Sequence, residues 1–228
     1  MKFIIGNWKM NGNMGDKESL LTAINNIKTD NKIILCLPFT LLNGNNHGIT
    51  IGAQDVSPHD NGAYTGDISA QMLNDMGAQY VIVGHSERRL YHNETNELVR
   101  AKATMATKSG IIPIVCVGET MEEKNAGHTI SVIKKMLLES IPENGEYIVA
   151  YEPRWAIGSG LTPTTNEIVT AVKAVFDNLP APKPILYGGS VTANNAHDIV
   201  SIPYVDGLLI GGASLKSDTF LPIIKSID

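Results

Sequence analysis

Eight short apolar segments, separated by helical patterns, constrain the fold of this sequence more than any other feature. Each reads as a continuous apolar run and not as an alternation of apolar and polar residues. Such runs are typical of parallel strands whose outer faces are covered by helices. The predicted strands are Lys2–Gly6, Lys32–Leu37, Thr50–Ala53, Tyr80–Val83, Ile112–Val117, Tyr147–Tyr151, Pro184–Tyr187 and Gly207–Ile210.

Helical patterns lie between these strands, and several begin or end at recognisable signals. Thr164 and Glu167 form a capping-box pattern, and Thr95 and Thr192 are candidate N-caps. Gly77 and Gly110 are candidate C-terminal stops. The predicted helices are Lys17–Lys28, Ser69–Met76, Thr95–Ser109, Thr129–Ser140, Thr165–Leu179, Ala193–Val200 and Lys216–Ser226.

The eightfold alternation predicts a closed (β/α)8 barrel in one domain over residues 1–228, since no Pro-, Gly- or Ser-rich linker divides the chain. An open doubly wound sheet is the less favoured arrangement. One segment interrupts the pattern, because residues 43–48 (Asn-Gly-Asn-Asn-His-Gly) are too rich in helix breakers to hold a full second helix. We therefore expect that helix to be truncated to about one turn.

Charge and composition exclude several classes of partner. The net charge of −5 lacks the basic surface that nucleic acids and anionic membranes require. Cys36 and Cys116 lie in apolar stretches, as expected of reduced, buried thiols. No apolar run is long enough to cross a membrane, and the first apolar segment is too short for a signal peptide. We expect a cytoplasmic protein with no nucleic-acid or membrane partner.

The parallel barrel predicts where a site lies, because all strand ends of one polarity meet at one rim. Glu152 ends the sixth strand and precedes a Gly-rich segment, an arrangement suited to proton abstraction from carbon beneath a lid. Lys9 follows the first strand, where a cation can neutralise charge on a substrate oxygen, and Asn7 can hold that oxygen or the lysine stem. A solvated glutamate and a surface lysine are the alternatives.

Two residues after the fourth strand complete this group. If Ser86 opens a helical turn, the helix dipole disfavours the imidazolium form of His85, which then acts as a neutral donor to a carbonyl. Glu87 is expected to orient Lys9 and not to act as a second base. A hydrogen-bonded structural histidine is the alternative for His85.

Glycine-containing turns follow the last two strands, at Gly188-Gly189-Ser190 and Gly211-Gly212-Ala213-Ser214. Backbone N–H groups in such turns can approach an anion at a helix N-terminus, so the pair predicts a phosphate site. Tight strand-to-helix turns without a ligand are the alternative.

No metal or cofactor is expected. The histidines show none of the spacings typical of zinc ligands, and no nucleotide-binding fingerprint is present. Cys116 has no evident histidine partner and is expected to pack beneath the site.

With these residues assembled, the chain resembles the triosephosphate isomerase family from Asn7 almost to its C-terminus. The motifs are Asn7-Trp8-Lys9-Met10-Asn11, Gly84-His85-Ser86-Glu87-Arg88-Arg89, Cys116-Val117-Gly118-Glu119-Thr120, Tyr151-Glu152-Pro153, Tyr187-Gly188-Gly189-Ser190-Val191 and Gly211-Gly212-Ala213-Ser214-Leu215. The resemblance implies a TIM barrel that interconverts dihydroxyacetone phosphate and D-glyceraldehyde 3-phosphate through an enediolate, without a cofactor.

The resemblance also implies a role for each site residue. Glu152 is the base, His85 the electrophile, and Lys9 and Asn7 the electrostatic and positioning groups. The phosphate-binding backbone that it implies consists of Gly158, Ser190, Gly211 and Gly212. Trp155 anchors the lid hinge, and the groups that exchange hydrogen bonds as the lid closes are Tyr151, Glu119 and Tyr187.

The family further implies a homodimer, in which the loop Asp55 to Gly66 enters the partner subunit with Thr65 at its tip. Two residues depart from the family pattern and are expected to alter lid motion: Arg154 at the first lid hinge and Pro163 just past the second. Two other functions stay open: a different phosphosugar barrel with other acids, and a non-catalytic phosphate-binding barrel or scaffold protein.

Overall fold

The structure is a computed structural model that describes residues 1–157 and 161–227 of the chain. Parallel strands β1 to β8 close into a barrel in sequence order, since β1 pairs with both β2 and β8. The strands are β1 Phe3–Asn7, β2 Lys32–Leu37, β3 Thr50–Ala53, β4 Tyr80–Val83, β5 Ile112–Val117, β6 Ile148–Tyr151, β7 Ile185–Tyr187 and β8 Gly207–Ile210. The predicted (β/α)8 barrel is confirmed.

The helices lie between the strands, and most begin where a side chain caps them. They are α1 Met14–Asn25, α2 Ala70–Asp75, α3 Ser86–Tyr91, α4 Asn96–Lys108, α5 Met121–Asn125, α6 Thr129–Ser140, α7 Thr165–Asn178, α8 Ala196–Val200 and α9 Ser217–Ile227. The predicted capping box of Thr164 and Glu167 is present at α7, and Thr95 caps α4. Thr192 does not cap α8, which begins after Asn195.

Two hydrophobic layers stabilise the barrel. One fills its interior with side chains from alternating strand positions, including Ile5, Cys36, Ile82 and Cys116. The other, larger layer lies between the strands and the helices. Because both faces of each strand are buried, the strands are apolar along their whole length, which explains the continuous apolar runs in the sequence.

The second barrel helix is truncated, as predicted. Residues 38–49, all of which the structure describes, form only a 3-10 turn at Phe39–Leu41 and irregular backbone. Helix α1 anchors this short crossing at two points: Lys17 Nζ donates to Asn43 O at 2.7 Å, and Glu18 Oε1 lies 2.6 Å from His47 Nε2. Lys17 is 1% exposed, and burial lowers the pKa of its ammonium group.

The C-terminal ends of the parallel strands all lie at one rim of the barrel. The candidate site is formed at this rim by the segments that connect the strands to the following helices. Among the described residues, no helix combines the length and the apolar character that crossing a bilayer requires.

Candidate active site

A pocket of about 330 Å³ opens at the C-terminal rim of the barrel and is lined by most of the predicted site residues. Its lining comes from separate parts of the chain that follow different strands. The predicted residues that it contains are Asn7, Lys9, His85, Glu152, Ser190, Gly211 and Gly212. Glu87 lies beside this pocket and contacts Lys9, and Gly158 falls outside the described residues.

Glu152 is fixed by two donors at the bottom of the pocket. Its side chain is 2% exposed, Oε2 accepts the backbone N–H of Ser86 at 2.9 Å, and Oε1 lies 3.1 Å from His85 Nε2. A buried carboxylate needs such partners because an unpaired buried charge is costly. The contact with Ser86 was not predicted, although its position at the first turn of α3 is the signal that a free N–H is available.

The protonation of His85 follows from its hydrogen bonds. Its Nδ1 accepts the backbone N–H of Glu87 at 3.2 Å, so this nitrogen carries no proton. A neutral ring then carries its proton on Nε2, which faces Glu152. His85 is the N-cap of α3, as the prediction of a helical turn at Ser86 required.

Lys9 is oriented by an acidic partner and by an unusual backbone conformation. Its Nζ lies 2.6 Å from Glu87 Oε1, and Asn7 Oδ1 accepts the Lys9 backbone N–H at 3.1 Å. The φ angle of Lys9 is 53°, in the left-handed region that non-glycine residues seldom adopt and that is often found at functional sites. The predicted pairing of Glu87 with Lys9 is present.

The glycine-containing turns after β7 and β8 form one side of the pocket. Gly188, Gly189 and Ser190 come from the first turn, and Gly211 and Gly212 from the second, which continues into a 3-10 turn at Gly212–Ser214. A Cβ atom on Gly212 would meet nothing within 4 Å, so its backbone faces open space. Exposed N–H groups in such turns favour an anionic ligand.

The segment that precedes residues 158–160 is held by Glu119. Trp155 Nε1 donates to Glu119 Oε1 at 2.9 Å, and Tyr151 Oη donates to the same oxygen at 3.2 Å. Burial, and next the charge of Glu119, raises the pKa of Tyr151, so this phenol stays a donor. The Oη of Tyr187 is buried and has no hydrogen-bond partner among the described residues, which leaves it available.

Close packing beneath the pocket fixes the path of the chain through Glu152. A Cβ atom on Gly118 would lie 1.7 Å from the Glu152 carbonyl oxygen, so only glycine fits there. Cys116 is 1% exposed, and burial, together with the charge of Glu152, raises the pKa of its thiol well above the usual value. A protonated thiol is a poor nucleophile, which agrees with the prediction that Cys116 packs beneath the site.

The donor side chains around the pocket do not form a metal site. Within residues 1–157 and 161–227, no three or more side chains of His, Cys, Asp or Glu are grouped so that they could hold a metal ion.

Comparison with known proteins identifies the same family over nearly the whole chain. The model of the family described as triosephosphate isomerase matches residues 2–227. The triosephosphate isomerase of Rhodopseudomonas palustris (strain BisA53) is 45% identical over an alignment of 240 positions, gaps included, that covers 96% of this chain and 95% of the relative. The triosephosphate isomerase of Albidiferax ferrireducens is also 45% identical, and the alignment covers 99% of this chain and 98% of that relative. A crystal structure of triosephosphate isomerase from Bartonella henselae superposes with a TM-score of 0.88 at 37% identity, covering 99% of this chain and 98% of that one.

Proposed function

This chain belongs to the triosephosphate isomerase family, and from that membership and the geometry of its pocket we propose how its residues perform the reaction. The protein is an isomerase that interconverts dihydroxyacetone phosphate and D-glyceraldehyde 3-phosphate. The observation that carries the assignment of roles is the convergence of Glu152, His85 and Lys9 on one pocket that is walled by glycine-containing turns.

We propose Glu152 as the general base. Its carboxylate accepts hydrogen bonds from the Ser86 N–H and the His85 ring, and a substrate that occupies the pocket competes for both donors. Once released from them, the carboxylate removes a proton from one substrate carbon and returns it to the neighbouring carbon. Its 2% exposure supports this role, because exclusion of water strengthens a carboxylate base.

His85 and Lys9 stabilise the enediolate that forms between the two proton transfers. The Nε2–H of His85 donates to the substrate oxygens, as supported by the occupied lone pair on Nδ1. Lys9 supplies a fixed positive charge, and its pairing with Glu87 at 2.6 Å supports a defined position for that charge. Asn7, which hydrogen-bonds the Lys9 backbone, keeps this residue at the pocket edge.

The substrate phosphate binds to the backbone of the turns after β7 and β8. Ser190, Gly211 and Gly212 supply N–H groups there. Membership of the family supports Gly158, which lies outside the described residues, as a further donor. No cofactor takes part, because proton transfer and electrostatic stabilisation suffice for an isomerisation through an enediolate.

We further propose that the protein works as a cytoplasmic homodimer. A second pocket of about 420 Å³ shares Asn7, Lys9 and His85 with the active site, and its lining also includes Met10 and Phe39. Met10 is 96% exposed in the single chain, which supports a covering partner. The loop Asp55 to Gly66 of the partner, with Thr65 at its tip, is the proposed occupant. The two buried cysteines, both free, agree with a reducing compartment.

A coupled assay of triose phosphate isomerisation tests these roles. Glu152→Asp withdraws the carboxylate by about 1 Å, and such a misplacement costs about a hundredfold in kcat/KM. Glu143→Asp makes the same change at an exposed residue before β6, on the opposite side of the barrel, and should leave activity unchanged. An inactive wild type would favour the non-catalytic barrel, and full activity in Glu152→Asp would remove Glu152 from its role.

A further inference from the structure

A single guanidinium group joins the C-terminal ends of β4 and β5. Arg89, in α3, donates from Nε to Gly84 O at 2.8 Å and from Nη2 to Cys116 O at 3.3 Å. The pairing of β4 with β5 ends at Val83 and Val115, so the two carbonyls belong to the residues that directly follow this last pair. Arg89 therefore continues the connection between the two strands past the point where their backbones stop pairing.

Arg89 also contacts the peptide units on both sides of His85. The Gly84 carbonyl lies in the same planar peptide unit as the His85 nitrogen, so its bond to Arg89 Nε fixes the plane of that unit. The backbone N–H of Arg89 donates to His85 O at 3.1 Å. Because the Cα atom of His85 lies between these two peptide units, Arg89 limits the directions in which the imidazole can point.

The same guanidinium is connected to the proposed base through β5. Cys116 O belongs to the peptide unit that leads into Val117, and Val117 O accepts the Glu152 N–H at 2.8 Å. On the pocket side, His85 Nε2 lies 3.1 Å from Glu152 Oε1. One side chain thus connects the backbone that carries the electrophile with the backbone that positions the base.

Polar side chains of α4 and α6 hold the guanidinium in place. Arg89 Nη1 donates to Asn96 Oδ1 at 2.7 Å, and Nη2 lies 3.4 Å from Ser140 Oγ. Asn96 Nδ2 donates in turn to Glu139 Oε2 at 2.7 Å. Gly84 leaves room for the group, since a Cβ atom there would lie 3.0 Å from Arg89 Nη2. These contacts point in the fixed directions of a planar guanidinium, and a lysine ammonium cannot make them from one point.

We propose that Arg89 is a positioning residue for the isomerisation, an inference that rests on the roles proposed above for Glu152 and His85. Arg89 does not belong to the described lining of the pocket, so it acts through the residues that do. Its contacts with the two carbonyls keep His85 Nε2 and the Glu152 carboxylate at the separation that proton transfer and stabilisation of the enediolate require. The phosphate site, on the turns after β7 and β8, does not depend on these contacts.

Steady-state kinetics compare Arg89→Met, which removes the guanidinium, with Arg89→Lys, which keeps a positive charge. Since a misplacement of about 1 Å costs about a hundredfold, we expect Arg89→Met to lower kcat about ten- to hundredfold and to keep KM within about threefold. Arg89→Lys should stay at least about fivefold below the wild type, because an ammonium cannot bond both carbonyls in the same geometry. Wild-type kcat in either variant, or a loss that appears in KM instead of kcat, would overturn the proposal.

Arg100, in α4, provides a matched control. Its Nε donates to Glu139 O at 3.1 Å and its Nη2 to Leu138 O, so it also bonds two neighbouring carbonyls. These carbonyls belong to α6 and not to the end of a strand. Arg100→Met should therefore leave kcat and KM unchanged. If it lowers kcat as much as Arg89→Met does, the loss is a general effect of removing an arginine, and the positioning role is wrong.

Ligand affinity separates positioning from simple stabilisation of the fold. 2-Phosphoglycolate carries a phosphate and a carboxylate that mimics the enediolate, whereas inorganic phosphate occupies the phosphate site alone. In competitive inhibition, we expect Arg89→Met to weaken 2-phosphoglycolate about tenfold and inorganic phosphate by less than about twofold. A purely structural role would leave both inhibition constants unchanged at a temperature where the variant is folded. That result, or an equal weakening of both ligands, would contradict the proposal.

A spectroscopic readout tests the contact itself. The chain has two cysteines, Cys36 and Cys116, so cysteine labelled with ¹³C at its carbonyl carbon gives two resonances. In Arg89→Met the Cys116 resonance should move because its carbonyl loses a charged donor, and that of Cys36, which accepts the Trp8 N–H at 3.1 Å, should stay in place. An unmoved Cys116 resonance would overturn the inference. A wild type without isomerase activity would instead overturn the roles of Glu152 and His85, while this resonance would still report the contact.

Discussion

At the scale of single residues, Glu167 shows how one carboxylate connects the first turn of α7 to Lys124 of α5. Its hydrogen bond with Lys124, followed by that with the Thr164 backbone, lowers its pKa from 4.5 to about 2. A carboxyl whose pKa is lowered in the folded state stabilises that state above its unfolded pKa. This stabilisation is lost as the pH falls from about 4.5 toward 2.

The pH dependence of stability tests this directly. We expect Glu167→Gln to lower the free energy of unfolding at pH 7 by about 0.5 kcal/mol, a small value because 39% of the side chain is exposed to screening by water. The difference between wild type and variant should shrink as the pH is lowered from about 5 to about 3. Urea unfolding at each pH measures it, and a difference that stays constant would contradict the lowered pKa.

The predicted site residues share a property that sequence alone can reveal. Asn7, Lys9, His85 and Glu152 each lie at or just after the end of a predicted strand, and the topology of a parallel barrel brings such positions together. The Ser86 N–H was not predicted as a site group. Its role depends on the direction of a backbone N–H, which no periodicity in the sequence records.

At the scale of elements, the ends of β5 and β6 approach so closely that one residue type is permitted. Glu152 N donates to Val117 O at 2.8 Å, which extends the strand pairing one residue past the end of β6. Gly118 is the next residue, and its missing side chain leaves room for the Glu152 carbonyl. The backbone at the base is therefore confined by a glycine that directly follows the neighbouring strand.

Replacing that glycine should displace the base. A Gly118→Ala Cβ would overlap the Glu152 carbonyl carbon as well, at 2.6 Å, so the backbone of one strand end must move. We expect kcat/KM to fall by about a hundredfold and stability by about 1–3 kcal/mol. Steady-state kinetics and urea unfolding measure both losses. Gly15→Ala, in the first turn of α1, meets only the Asn13 side chain at 3.2 Å, and its effect should stay within about 1 kcal/mol with normal kinetics.

The strands were predicted more accurately than the helix boundaries, for a physical reason. Burial on both faces makes a strand apolar along its length, whereas a helix is marked only by its caps and one apolar face. The Asn13 capping box starts α1 at Met14, earlier than predicted, and a turn in which Thr192 O accepts the Asn195 and Ala196 N–H groups delays α8. The truncated second helix was predicted from its helix breakers, but its anchors, Lys17 and Glu18, were not.

At the scale of the whole molecule, the proposed dimer loop has a rigid base and an exposed tip. Asp55, at its start, lies 2.7 Å from Arg88 Nη2 and 2.6 Å from Lys102 Nζ. Both cations also contact Glu94. Burial raises the pKa of Asp55, whereas at Glu94 the contacts with Lys102 and Arg88 outweigh burial and lower the pKa of that carboxyl. Near the tip, the Tyr64 ring stacks on His59 with centroids 3.8 Å apart.

The loop therefore has a defined shape before any partner binds, which reduces the entropy lost on association. Tyr64 is 45% exposed in the single chain, and we expect Tyr64→Asp to place a charge in the dimer interface and separate the subunits. Without the partner loop beside it, Lys9 is less firmly positioned, so kcat should fall with dissociation.

Tyr204→Asp is the matched control. Like Tyr64, Tyr204 is about half exposed, at 44%, and its ring stacks on another ring, that of Phe176, with centroids 4.2 Å apart. Its backbone has a left-handed φ of 70°, which aspartate tolerates. Sedimentation equilibrium at micromolar concentration should show a dimer for the wild type and Tyr204→Asp and a monomer for Tyr64→Asp. A monomeric wild type with full activity would contradict the proposed dimer.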